Sequence, residues 1–185
     1  MSVVVAVKDG DRFYLGADTQ VSGYNQKCFG KKNNRPFKIW NVLNVDGAIM
    51  GGVGDLRDLQ LLRYCEHLLD ELSVLKGEVD TKYMVNKLAP KIHEVLSNGH
   101  SIKGDAICMD SMFILAFKDK AWVINDNFSV LEVDEYGVIG SGAEVALGVL
   151  NTTSDESVES RIAQAIQAAA DNTLYVGGDI DTLHT

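Results

Sequence analysis

The chain has 185 residues, 46% of them hydrophobic and 23% charged, an ordinary globular composition with enough length for a substantial core. A formal net charge of −9 argues against general binding to nucleic acid or to anionic membranes. No apolar run reaches membrane-spanning length and no secretion signal is indicated. Three widely spaced cysteines, Cys28, Cys65 and Cys108, without metal-site spacing, predict reduced thiols in a cytoplasmic setting.

In chain order, Ser2-Val3-Val4-Val5-Ala6-Val7 is apolar and β-branched and predicts a strand over 2–8. Asp9-Gly10-Asp11 is a hairpin signal leading into a second strand over 12–18. A polar, basic loop follows through Lys31-Lys32-Asn33-Asn34-Arg35-Pro36. Strands over 37–43 and 47–53 flank the turn Asn44-Val45-Asp46-Gly47. From Asp55 the period becomes helical: Leu56, Leu59, Leu62 and then Leu68, Leu69, Leu72 fall at helical spacing with charges between them, and Gly77 is the stop. A second helix over 80–97, capped by Asp80 or Thr81, carries Pro90 inside it and is expected to kink or break there. Strands return at Met112 to Phe117, Ala121 to Asn125 and Ser129 to Val133, and Tyr136 to Gly142 reads as a short strand meeting a helix. Helices over roughly 142–151 and 156–170, the latter capped near Ser154 or Asp155, and a closing strand within 173–184 complete an α+β plan of paired helices on stacked sheets.

The head of the first strand carries the chemistry. Once Met1 is removed, Ser2 holds a hydroxyl nucleophile and a free α-amine on one residue. Such an amine titrates near about 7.7–8.0 and can act as a general base at neutral pH. Taken alone, the stretch fits an ordinary core or edge strand better. The other polar positions also have plain readings: Asp18 as a turn residue, Gly51-Gly52 as a close backbone approach, Gly140-Ser141-Gly142 as a helix start, and Asp55 and Asp58 as helix-opening acids. Met50 fits either a pocket wall or the core, and the four histidines are scattered.

Read together and in order, these blocks are specific. With Leu15-Gly16-Ala17-Asp18-Thr19, Lys38-Ile39-Trp40-Asn41-Val42, Ile49-Met50-Gly51-Gly52-Val53-Gly54-Asp55, Gly140-Ser141-Gly142 and Ala169-Ala170-Asp171, the chain resembles the proteasome β-subunit family of N-terminal nucleophile hydrolases, nearest in size to the HslV (ClpQ) type. Asp18 keeps the expected 16-residue spacing from Ser2, and the 13 residues from Lys38 to Gly51 favour Lys38 over Lys31, Lys32 or Arg35 as the matching lysine.

The resemblance implies a four-layer αββα sandwich, one peptidase domain over 1–185 and a mature chain starting at Ser2. It implies that Ser2 attacks the peptide carbonyl, that its amine takes the proton, and that Lys38, held by Asp18, supplies positive charge. Gly51 would donate its N–H to the oxyanion, and Ser141 and Asp171 would order the amine. It further implies polypeptide substrates, homo-oligomeric stacked rings and an AAA+ ATPase unfoldase, with no cofactor and no committed metal. Two departures stand out. Serine replaces the usual threonine, and Val176 or Leu174 occupies a late position where a hydroxyl is expected. The alternatives are a non-catalytic ring subunit of the same fold and an amidase acting on small amides.

Overall fold

The computed structural model describes residues 2–23, 26–28, 38–69, 79–101 and 108–185. The basic loop at 31–36, the expected helical positions around Leu72 and the stop at Gly77 lie outside them. The predicted hairpin forms as β1 (Val3–Asp9) and β2 (Arg12–Asp18), with Gly10 at φ 60 in the turn. β10 (Tyr136–Gly140) pairs with β1, and β11 (Ile180–His184) with β2, giving an antiparallel sheet in the order β10-β1-β2-β11. The second sheet runs β5 (Ile39–Asn41), β6 (Ala48–Gly54), β7 (Ser111–Phe117), β8 (Lys120–Ile124) and β9 (Val130–Val133), all antiparallel. Beyond Asp18 the sequence suggested only loop, but β3 (Val21–Gly23) and β4 (Gln26–Cys28) form a two-stranded ribbon there.

Side-chain alternation sorts the first sheet between two layers. Val3, Val5 and Val7 pack on α3 (Ala143–Leu150) and α4 (Val158–Asn172), against Ala146, Ile162, Ile166 and Ala169. Val4, Ala6, Leu15 and Ala17 face the other way and interdigitate with Ile39, Ile49, Ile114 and Val123 of the second sheet. The far face of that sheet, with Met50, Phe113, Leu115 and Trp122, is covered by α1 (Leu56–Arg63) and α2 (81–98). Helices, sheet, sheet, helices: the chain is a four-layer αββα sandwich.

Two helices depart from their expected form. α1 stops at Arg63, and although Leu68 and Leu69 are buried as the periodicity predicted, they sit in the turns that follow. α2 spans 81–98 as helical Thr81–Tyr83, a π turn over Met84–Leu88 and helical Ala89–Asn98, with Asp80 accepting from Tyr83 N–H as the cap. Pro90 brings no N–H and crowds the carbonyl four residues back. The backbone absorbs this by widening the preceding turn, where Ala89 N–H reaches the Met84 carbonyl, and the helix continues without a break. Met84, Leu88, Ile92 and Leu96 thereby stay on one buried stripe.

α4 is capped by Ser157, two or three residues later than expected, its hydroxyl accepting from Ser160 N–H at 3.3 Å. Ser157→Ala should lower stability by about 1 kcal/mol in urea unfolding, since one terminal amide loses its acceptor.

Candidate active site

Ser2 stands where β1 begins, between β2 and β10. It shares the parity of Val4, so its side chain is directed to the space between the sheets, at their open end. Its carbonyl is held by the residues just after β10: Ser141 Oγ donates to it at 3.4 Å and Gly142 N–H approaches at 3.5 Å. Gly140 makes that approach possible. It sits at φ +105, and a Cβ on it would lie 2.1 Å from the Ser2 carbonyl oxygen.

Asp18 closes β2 opposite Val3 and is 1% exposed. One carboxylate oxygen accepts from Lys38 Nζ at 2.7 Å and from Val3 N–H at 2.9 Å. The other accepts from the amides of Gly177 at 3.1 Å and Gln20 at 3.3 Å. Four donors satisfy a carboxylate that would otherwise be costly to bury. Lys38 enters from the second sheet, immediately before β5, so the ion pair bridges the two sheets beside Ser2. Burial pushes the Lys38 pKa below its ordinary value of 10.5, against the opposing pull of Asp18 and, more weakly, Asp181.

Gly51 is placed differently from the expectation. It lies mid-strand, opposite Ile39 on one side and Ile114 on the other. Gly52 N–H donates to the Lys38 carbonyl at 2.8 Å, so the alternation of an antiparallel ladder turns the Gly51 amide towards β7, away from the Lys38 side. The tight fit explains the glycine: a Cβ would meet Val4 Cγ1 at 2.8 Å. The amides that face the Lys38 side are those of Gly52 and Gly54, and only the register, invisible in sequence, assigns them.

Asp171 is not brought to Ser2. It is exposed near the end of α4, and its carboxylate accepts from Gln167 Nε2 at 2.8 Å, one turn earlier. Ser141 contacts the Ser2 carbonyl, whereas its expected role was at the amine. The side chains closest to Gly142 are apolar: Ala169, the buried Val176 and Val3. Met50 is fully buried under the helices, which settles it as core. Asp55 caps α1, accepting from Arg57 N–H at 2.6 Å, and the buried Asp58 accepts from Ser111 Oγ at 2.7 Å and from Ser101 Oγ. Gln20, fully buried, was not anticipated; its amide nitrogen donates to the Leu174 carbonyl at 3.0 Å and anchors the loop that carries Gly177. Among the described residues, no three His, Cys, Asp or Glu side chains converge on a metal-sized site, and no helix is long and apolar enough to cross a membrane.

No family model matches the sequence. Solved structures do match the architecture. BPH of Thiobacillus denitrificans, in complex with epoxomicin, superposes with a TM-score of 0.78 at 16% identity over 99% of this chain and 97% of its own. A second structure of Thiobacillus denitrificans BPH gives 0.75 at 17% identity, over 99% and 97%. Eukaryotic HslV from Trypanosoma brucei gives 0.70 at 18% identity, over 98% of each chain. The chain has the HslV and proteasome-type fold. With identities this low, what is shared is the arrangement of layers and strands.

Proposed function

We propose that this chain is a proteasome-type peptidase whose nucleophile is Ser2 after removal of Met1. The observation that carries the reading is the bridged Asp18–Lys38 pair, with one Asp18 oxygen also holding the Val3 amide, 2.7 and 2.9 Å from its two donors, next to a serine at the head of a core strand. Ser2 Oγ attacks the peptide carbonyl, the α-amine takes the hydroxyl proton, and the acyl-enzyme is then hydrolysed by water. Charged Lys38 keeps the amine neutral and favours the alkoxide. Asp18 is a positioning residue, fixing Lys38 and the backbone of Val3. The oxyanion is served by the Gly54 amide, the next on the Lys38 side of β6 after Gly52, whose own N–H is taken by the Lys38 carbonyl; such donors are usually among the larger catalytic contributions. Polypeptides are the substrates, stacked homo-oligomeric rings the assembly, an AAA+ ATPase the unfoldase for folded substrates, and the cytoplasm the setting.

A second reading, a non-catalytic ring subunit, is favoured by the apolar Val176 beside Gly142 and by the outward Asp171. One experiment separates the two. The purified protein is treated with epoxomicin, the compound bound in the BPH structure, and its intact mass is measured. The peptidase reading expects a chain lacking Met1 that gains one adduct, and no adduct in Ser2→Ala. A processed chain that never forms the adduct supports the structural subunit.

A further inference from the structure

Beside Ser141, on the side of Ser2 away from Lys38, the ends of β6, β7 and β10 line an open recess of about 320 Å³. Its inner wall is apolar: Val53 and Met109 are buried and Met112 half-buried. Its rim carries two exposed carboxylates, Asp110 and Asp126, which form no ion pair among the described residues. Gly140 and Ser141, which touch the Ser2 carbonyl, form the wall nearest the nucleophile. We propose that this cavity receives one side chain of the bound peptide beside the scissile bond, and that it selects lysine or arginine.

The inference rests on the peptidase reading and adds a substrate class to it. The volume is at the low end for ligand pockets, about 300–1,000 Å³, which suits a single long side chain. Lysine and arginine bury an aliphatic stem and keep the charged head in water. An apolar wall under a carboxylate rim matches both parts. The carboxylates alone would be a solvated face; the open recess beneath them, floored by Val53, Met109 and Met112 and bounded by Ser141, gives the stem a place. The wall is also rigid, because Ser111, part of the same lining, donates to the buried Asp58 at 2.7 Å while accepting from the Asp55 amide at 3.0 Å. A glutamate or aspartate side chain entering the same space would meet two like charges.

The test is digestion of an unstructured protein by the processed chain, with the fragments read by mass spectrometry and the epoxomicin adduct rate measured in parallel. Lysine and arginine should be enriched at one fixed position relative to the cut. The Asp110→Asn, Asp126→Asn double variant should lower kcat/KM for a lysine-bearing peptide about tenfold with an unchanged adduct rate. Asp126→Lys should move the enrichment towards Asp and Glu, a gain that misfolding cannot imitate. An adduct with no basic enrichment, or with enrichment that ignores both variants, overturns the subsite while leaving the peptidase intact. No adduct at all overturns the peptidase and the subsite together.

Discussion

Lys38→Met should cost about 3–5 kcal/mol of stability and slow epoxomicin adduct formation by about 10²–10⁴-fold. The stability loss comes from Asp18. At 1% exposure it cannot recover water when its ionic partner is removed, and only the amides of Val3, Gln20 and Gly177 remain to it. Adding Asp18→Asn to Lys38→Met should return part of the loss, because a neutral amide no longer needs the cation; additive losses would show that the pair does not act as a unit.

The pH dependence follows from the lowered Lys38 pKa. Between that lowered value and 10.5 the folded chain binds fewer protons than the unfolded one, so this group's contribution to stability rises with pH across that window. Activity goes the other way, since it needs the cation: the alkaline limb of the adduct rate should fall below pH 10.5. Lys38→Arg should move the limb upward, because a guanidinium stays charged. A limb unmoved by arginine would detach Lys38 from the chemistry.

Gly140→Ala should have a comparable effect through the backbone alone. At φ +105 an alanine is strained by about 1–3 kcal/mol, and its Cβ would lie 2.1 Å from the Ser2 oxygen and 2.9 Å from the Ser2 carbon. Both are backbone atoms that no rotamer change can move. The Val3 to Gly140 pairing must open, carrying Ser2 away from Asp18 and Lys38. The expected result is loss of about 3 kcal/mol or more and of the epoxomicin adduct, with helix content retained by circular dichroism. Gly148→Ala, in α3 with open space at its Cβ, should instead stabilise by about 0.5–1 kcal/mol. If Gly140→Ala keeps a normal adduct rate, the β10 contact does not position Ser2.

Local pattern in the sequence determined much of this protein. Valine runs and Asp-Gly or Asn-to-Gly turns placed β1, β2, β6 and the strands from 111 to 133, because strand period and turn chemistry are properties of neighbouring residues. Helical spacing placed α2, α3 and α4 within a few residues. The ordered blocks around Ser2, Asp18 and Lys38 pointed to the fold, and two of these side chains, Asp18 and Lys38, do meet at 2.7 Å. Tertiary structure decided what depends on register and on which side of an element faces inward. A shift of one position in a ladder reverses the direction of every amide, so Gly51 faces β7 and Gly52 the Lys38 side. Asp171 and Ala169 are only two residues apart on α4, yet one is exposed and the other buried against β1. Packing also supplied what no pattern marks: the loop that sends the Gly177 amide to Asp18 comes from the far end of the chain, and the Gln20 that anchors it is a buried polar residue in a stretch that reads as loop.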